Sequence, residues 1–169
     1  MRTSDPAIRW AKRYGSDKPV AKRIRSDAGK WWRMSPVETV LHFLNLINQR
    51  DADKLAELMT EDHLFVDSLG QSVRGREKTR ANWRGYYAFC PDYWVSHEET
   101  LQNGNRVAVF GAAGGTIAAN GQLPPENKWR ISAAWLAVVE KGLVKEWRVY
   151  ADNKPVYDIM ARSGPPPRY

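Results

Sequence analysis

A chain of 169 residues, of which 43% are hydrophobic and eight are tryptophan, can bury the core of one globular domain. It has no run of about 18 apolar residues that could cross a membrane, and its N-terminus lacks the apolar segment of a secretory signal. The single cysteine, Cys90, excludes an internal disulfide and a cysteine-based zinc cluster. We therefore expect a cytoplasmic protein with no membrane partner.

The excess positive charge lies in the first fifth of the chain. Residues 1–34 contain ten Lys or Arg and three Asp, which accounts for the net charge of +7, and residues 35–169 contain sixteen residues of each sign. We interpret residues 1–34 as a solvated basic extension, because they show little apolar periodicity and several helix breakers. Aromatic residues lie between the basic ones, which leaves open a weak contact with nucleic-acid phosphates.

The folded domain is predicted to begin with two helices. Ser-Pro-Val-Glu at 35–38 has the composition of a capping box with proline at the first helical position. Apolar residues then recur at helical spacing to about Arg50. Acidic residues at 51–53 favour the start of a second, short helix that reaches about Met59.

The apolar period changes to that of a strand over residues 63–68. Alternation places Phe65 and Asp67 on the same face of that strand. Leu-Gly-Gln at 69–71 is typical of a turn. A third helix is predicted over residues 76–89, and the Cys-Pro-Asp that follows ends it.

The second half of the chain has the alternation of four long strands, joined by two glycine-containing turns and one longer loop. The predicted strands are residues 93–101, 106–117, 128–140 and 143–152. A last helix over 155–162 precedes a proline-rich tail, 163–169. Helices followed by long strands predict an α+β domain over 35–162, in which a curved, mostly antiparallel sheet wraps around the long first helix.

This order of parts resembles the nuclear-transport-factor-2-like superfamily, most closely its SnoaL-like and ketosteroid-isomerase-like proteins. The matching motifs are Leu-Met-Thr-Glu-Asp-His at 58–63, Phe-Val-Asp at 65–67, Arg-Gly-Arg-Glu at 74–77 and Glu-Trp-Arg-Val-Tyr-Ala-Asp-Asn at 146–153. The resemblance implies a cone with an apolar cavity for a small hydrophobic ligand. It also implies a homodimer paired through the broad sheet face. The three histidines lie on separate predicted elements without the spacing of metal ligands, so we expect no metal and no cofactor.

The resemblance makes Asp67 the first candidate catalytic residue. In ketosteroid isomerases an aspartate at the end of the first strand is the general base, and Asp67 falls on that position. The oxyanion donors of those enzymes fall on Phe43 and on Ala133 or Ala134, so steroid isomerisation is not expected. A carboxylate closes the last strand of SnoaL-like cyclases much as Asp152 does here, which makes Asp152 a second candidate.

Each candidate also has a structural interpretation. Asp67 could cap the turn that follows it, and Asp152 could cap the last helix. His97, in a strand of alternating character, is a third candidate acid/base group, with a position in the core or at the rim as its alternative. The small residues at 111–115 could leave room for a ligand or allow a bulge that curves the sheet.

Aromatic residues are too numerous for a small core alone, so we expect several to line the cavity. The predicted lining residues are Phe43, Phe65, Trp83, Tyr87, Trp129, Trp147 and Tyr150. The leading hypothesis is a protein that binds a small hydrophobic molecule, with cofactor-free acid/base chemistry at Asp67 of the isomerase, cyclase or hydrolase type. The alternative is a non-catalytic binding or dimerisation module whose basic arm contacts a partner such as nucleic acid.

Overall fold

The structure, a computed structural model, describes residues 34–163; the basic extension before Met34 and the tail after Ser163 lie outside the described residues. Its α-helices are α1 (Pro36–Gln49), α2 (Ala52–Glu57), α3 (Arg76–Phe89) and α4 (Lys154–Ser163). Its strands are β1 (Met59–Val66), β2 (Ser72–Arg74), β3 (Trp94–Asn103), β4 (Arg106–Thr116), β5 (Lys128–Glu140) and β6 (Leu143–Ala151). No helix within 34–163 is long and apolar enough to cross a membrane.

The six strands form one sheet in the order β2-β1-β6-β5-β4-β3. Every pair is antiparallel except β1 and β6, which run parallel. The predicted α+β fold with a mostly antiparallel sheet is therefore confirmed. Strand β1 begins at Met59 rather than near residue 63, because Met59 pairs with Val144 of β6 and this pairing outweighs the local helical pattern. The short strand β2 was not predicted.

Helix α1 begins with the capping box that its sequence predicts. The Glu38 amide donates to the Ser35 hydroxyl at 3.2 Å, and the Ser35 amide donates to the Glu38 carboxylate at 2.9 Å. At the other end, the Asn48 side chain bonds both the N–H and the C=O of Val95 in β3. These bonds hold α1 across the sheet, where it contacts β3, β4, β5 and β6.

The alternation of each strand divides the sheet into an inner face, which packs on α1, and an outer face. Val109, Trp135 and Val149 are neighbours in one inner row across three strands, and Trp135 is 2% exposed. The adjacent row on these three strands faces the other way, and it includes the exposed Phe110 and Tyr150. The core therefore lies between α1 and the inner face.

Residues 111–115 were predicted either to leave room for a ligand or to allow a bulge in the sheet, and a bulge is present. The pairing of β3 with β4 shifts between His97 and Glu99, opposite Gly111. A Cβ at Gly111 would lie 1.9 Å from the Ser96 carbonyl oxygen, so only glycine fits there. Protein atoms also fill the space at Gly115, and the glycines therefore shape the sheet rather than open a cavity.

Candidate functional site

The inner face is closed at one end and partly open at the other. At the closed end Trp147 is 1% exposed and Val144 is fully buried. Towards the other end, apolar side chains that pack against the core are only half-buried; they are Ile131, Val149, Ala151 and Met160, together with Phe65, which pairs with Trp147 at the edge of this region. We call this set the open end of the inner face, and it is where a small molecule could complete the burial.

Asp67 lies next to the open end, two residues after Phe65. Its Oδ1 accepts hydrogen bonds from the Leu69 amide at 2.9 Å and from the Gln71 amide at 2.8 Å. The Asp67 backbone bonds to Gln71 and Gly70, and Gly70 has a left-handed φ of 82°. The turn-capping interpretation of Asp67 thus describes its observed contacts, while no described residue donates a hydrogen bond to its Oδ2.

Asp152 occupies the junction between β6 and α4. Its exposed carboxylate accepts a hydrogen bond from the Lys154 amide at 2.9 Å, as the capping interpretation predicts. The neighbouring Asn153 side chain donates to the Ser68 hydroxyl at 2.7 Å. This bond ties the turn of Asp67 to the junction of Asp152, so these two candidates belong to the same end of the molecule.

His97 is separated from both aspartates. It is exposed on β3, an edge strand, at the bulge opposite Gly111. Gly111 pairs with Ala133 of β5, and Ala133 pairs with Ala151 of β6. Three strand spacings, about 14 Å, therefore separate His97 from the last residue of β6. The structure does not assemble His97, Asp67 and Asp152 into one site.

Six of the seven predicted lining residues belong to two clusters of aromatic rings, which also contain residues that were not predicted, and the seventh lies outside both clusters. The α1 cluster is Phe43, His63, Trp135 and Trp147. The α3 cluster is Phe65, Trp83, Tyr86, Tyr87, Phe89, Tyr93 and Trp129. Tyr150 is the outlier: it is 56% exposed on the outer face and does not line the interior, because three positions along a strand reverse the direction of the side chain relative to Trp147.

Trp83 is the centre of the α3 cluster. Its ring centre lies 5.3 Å from Tyr87, 6.0 Å from Tyr86 and 6.3 Å from both Phe65 and Tyr93. The contact with Phe65 places the cluster directly beside the open end. Trp83 is itself buried, whereas three of its neighbours, Phe65, Tyr86 and Tyr87, are half-buried. The cluster is therefore a wall of the open end, with exposed aromatic edges.

Tyr93 was not among the predicted lining residues, and neither was Tyr86. Tyr93 was overlooked because it follows the helix stop, whereas Tyr86 was placed with Trp83 and Tyr87 on the bulky side of the third helix without being chosen as a lining residue. The helical spacing of Trp83 and Tyr86, three residues apart, was the available indication that they share a face. Only tertiary packing brings Tyr93 against Tyr86, with ring centres 4.9 Å apart.

The α1 cluster contains a buried histidine, His63. Its Nδ1 lies 2.7 Å from the Val144 carbonyl oxygen, so Nδ1 carries the proton and donates. Its Nε2 is buried and has no hydrogen-bond partner in the described chain. Burial lowers the pKa of His63, and the imidazole is therefore neutral at physiological pH.

Comparison with known proteins identifies the family of this domain. The sequence model of the SnoaL-like domain matches residues 40–147, which extend from α1 into β6. This chain belongs to the SnoaL-like domain family. The match includes β1, α3, the strands β3 to β5 and the first half of β6, and it contains Phe65 and Ile131 of the open end. Among curated proteins, none matches this SnoaL-like chain.

Solved structures share the fold at low sequence identity. A candidate SnoaL-like polyketide cyclase from Jannaschia sp. CCS1 is 25% identical, with a TM-score of 0.63, and the match covers 78% of this chain and 93% of that chain. IdmH from Streptomyces antibioticus, a candidate polyketide cyclase, is 23% identical, with a TM-score of 0.63 and coverages of 76% and 99%. An LEH-like epoxide hydrolase from M. tuberculosis is 17% identical, with a TM-score of 0.62 and coverages of 76% and 90%. These neighbours show the cone fold of the SnoaL-like chain, and their different names show that the fold alone selects no reaction.

Cys90 of this SnoaL-like domain is unsuited to nucleophilic chemistry. Burial, with the nearby Asp92 carboxylate, raises the pKa of its thiol to about 12. Asp92 is itself held by Thr116, whose amide and hydroxyl donate to it at 2.6 and 2.8 Å. Within residues 34–163, no group of three His, Cys, Asp or Glu side chains is placed to hold a metal ion.

A shallow depression of about 480 Å³ opens on the outer face. Its lining includes Phe110, Ala134 and Tyr150 from one outer row, together with the carboxylates of Glu98 and Asp152. Most of its lining is on the face opposite α1, and Ala151 of the open end borders it at the end of β6. The SnoaL-like domain thus presents two surfaces, an inner one beside Asp67 and an outer one around Tyr150.

Proposed function

We propose that this SnoaL-like protein binds a small hydrophobic organic molecule at the open end of the inner face. The observation that carries the proposal is the change in burial along that face, from closed at Trp147 to half-buried at Val149 and Ala151. Half-buried apolar side chains beside an aromatic wall are the usual lining of a ligand site. A ligand seated there would contact Phe65 and lie close to Asp67.

We further propose that Asp67 acts as an acid/base group on that molecule, without a cofactor. The support is its position two residues beyond Phe65 and the difference between the contacts of its two carboxylate oxygens. Oδ1 holds the turn through two backbone donors, and Oδ2 is left to exchange a proton with a ligand. The solved structures that share this fold include candidate polyketide cyclases and an LEH-like epoxide hydrolase. An acid/base group is useful in both kinds of reaction.

A second proposal concerns the outer face, which would serve as a homodimer interface. It is favoured by large apolar side chains exposed on it: Leu101 (54%), Phe110 (42%) and Tyr150 (56%). An exposed apolar surface on a sheet is a typical site for a protein partner. Sedimentation or size exclusion would test this. We expect Phe110→Asp to shift a dimer to a monomer, and a wild-type monomer would contradict the interface.

Binding is tested by thermal shift with a panel of small ketones, epoxides and lactones. A ligand at one hundred times its Kd stabilises a domain by about 2.7 kcal/mol and raises its Tm by several degrees. Ala151→Trp should abolish that shift by filling the open end. Ser132→Trp, on the exposed outer face of β5, is the matched control and should retain it. Equal shifts in both variants would place the ligand elsewhere.

Catalysis at Asp67 is tested with Asp67→Asn on any compound that the wild type turns over. Asparagine keeps an oxygen that can accept from the Leu69 and Gln71 amides, so the turn should persist. We expect turnover to fall at least a hundredfold while the thermal shift by the ligand is unchanged. Unchanged turnover would remove Asp67 from the chemistry and leave the binding proposal intact.

A further inference from the structure

Asn153 is the residue that begins α4, and its side chain does not serve that helix. The Tyr157 amide donates to the Asn153 carbonyl at 3.0 Å, which makes Asn153 the N-cap. An N-cap asparagine usually accepts from amides of the first helical turn. Here Pro155 has no amide to give, and the Lys154 amide donates to Asp152 instead. The Asn153 side chain is therefore available for a contact outside α4.

That contact is made with the turn that carries Asp67. Asn153 Nδ2 donates to the Ser68 hydroxyl at 2.7 Å, across 85 residues of sequence, and both residues are half-buried. Ser68 directly follows Asp67, whose Oδ1 accepts from the Leu69 and Gln71 amides. The strand beyond the turn, β2, is a three-residue edge strand and gives the turn little support. The bond from Asn153 therefore fixes the turn against the junction of β6 and α4.

The same bond influences the direction of the Asp67 carboxylate. Two amide bonds hold Oδ1 within the turn, so any rotation of the turn carries Oδ2 with it. A proton-transfer group must lie within about 2.6–3.2 Å of the atom it serves, and a displacement of about 1 Å can cost about a hundredfold in rate. Helix α4 also contributes Met160 to the open end. Asn153 thus joins the turn of Asp67 to a helix that lines the proposed ligand site.

We propose that Asn153 is a positioning residue for Asp67. It acts through Ser68, contacts neither the ligand nor the transferred proton, and keeps Oδ2 of Asp67 directed at the open end. This role rests on the proposed acid/base function and adds to it a residue from the other end of the sequence. It also gives the Asp-Asn pair at 152–153 a joint task, because Asp152 caps the Lys154 amide and leaves Asn153 to hold the turn.

The probe for this role is 5-nitrobenzisoxazole, a small apolar substrate for a general base. Its ring C–H proton passes to the carboxylate, the electron pair of that bond forms a nitrile, and the N–O bond breaks to give a coloured phenolate. With the full chain, we expect Asn153→Ala and Ser68→Ala each to lower kcat about tenfold, with KM changed less than about twofold. The double variant should match either single variant, because both changes remove the same bond.

Amide hydrogen exchange of the same variants shows whether the turn itself responds. The Leu69 and Gln71 amides should exchange about fivefold faster in Asn153→Ala, because one ordinary hydrogen bond is lost. Asn105→Ala is the matched control, since it removes an asparagine bond of 3.2 Å to the Val139 carbonyl at the opposite end of β5 and β6. It should leave both kcat and the exchange of the turn unchanged.

The outcomes distinguish the role of Asn153 from that of Asp67. Equal kcat in the wild type and in both single variants would overturn the positioning role while Asp67 stands as the base. A loss of kcat without faster exchange in the turn would also overturn it. No turnover by the wild type, or turnover that Asp67→Asn retains, would overturn the base role of Asp67 and the positioning role with it. Should Asn153→Ala not fold, Ser68→Ala removes the other partner of the bond and decides.

Discussion

The two aromatic clusters on the inner face of the sheet differ in how completely protein encloses them. In the α1 cluster, Phe43 and His63 are fully buried and Trp147 is 1% exposed, so its rings are surrounded by protein. In the α3 cluster, Tyr86 and Tyr87 are half-buried and lie beside the open end. The first cluster has the packing of a core, and the second has the exposed aromatic edges that the proposed ligand site requires. Residue type alone does not separate them, since both are rich in tryptophan.

The largest effect that should separate core from surface is the loss of a ring from the α1 cluster. Trp147→Ala removes a fully enclosed indole that contacts Phe43 at 4.9 Å, and we expect a loss of about 3–5 kcal/mol in the free energy of unfolding. Tyr150→Ala, on the outer face of the same strand, should cost less than about 1 kcal/mol. Urea denaturation of both variants measures the difference, and similar losses would contradict the assignment of the two faces.

A smaller effect is expected where the α3 cluster meets β4. A Cβ at Gly115 would lie 2.4 Å from the Cys90 sulfur, so Gly115→Ala should destabilise the fold by about 1–3 kcal/mol through overpacking. Adding Cys90→Ala should recover part of that loss, because the closest clashing atom is removed. Chemical denaturation of the single and double variants would show it. A double variant less stable than the sum of its parts would indicate another source of strain.

The buried histidine of the α1 cluster predicts a pH dependence. Because the pKa of His63 is lowered in the folded state, the unfolded state binds more protons as the pH falls below about 6.5. Stability should therefore be constant above pH 7 and decrease on acidification by about 1 kcal/mol per pH unit for this residue. His63→Gln should flatten the profile between pH 7.5 and 5.5. Burial also lowers the pKa of His42, so His42→Gln is the comparison variant.

The smallest effect is expected within the α3 cluster itself. Tyr87→Phe removes a hydrogen bond to the Ile47 carbonyl and should cost about 0.5–1.5 kcal/mol. Tyr86→Phe, one residue earlier, removes a hydroxyl that has no hydrogen-bond partner among residues 34–163 and should leave the free energy of unfolding unchanged. Parallel urea titrations would show the contrast. A clear loss in Tyr86→Phe would mean that its hydroxyl has a structural partner.

Local pattern was sufficient for much of the fold. The capping box at Ser35 and Glu38 and the apolar spacing of α1 depend on neighbours in sequence, and α1 lies where they predict. The same holds for the four long strands, whose alternation is a local property. The early start of β1 at Met59 was not predictable in this way, because it depends on pairing with Val144, 85 residues later.

The candidate site was predictable in part. Asp67 follows from the family resemblance, but its two bonds to backbone amides depend on how the 67–71 turn closes. The separation of Trp147 and Tyr150 was available from strand alternation, since three positions change the face. The wide separation of His97 from Asp67 was not, because strand order is a long-range property.

By itself the sequence determined the helices, the long strands, the α+β class and the family to which this chain belongs. These depend on periodicity and on short motifs, which act over a few residues. Only the tertiary structure decided which aromatic rings are enclosed in the core and which keep exposed edges, and that Nε2 of the buried His63 has no hydrogen-bond partner among the described residues. The burial of a side chain and the pairing of its polar atoms depend on contacts between distant segments, such as Tyr93 against Tyr86 and Trp129. A local sequence pattern does not encode such contacts.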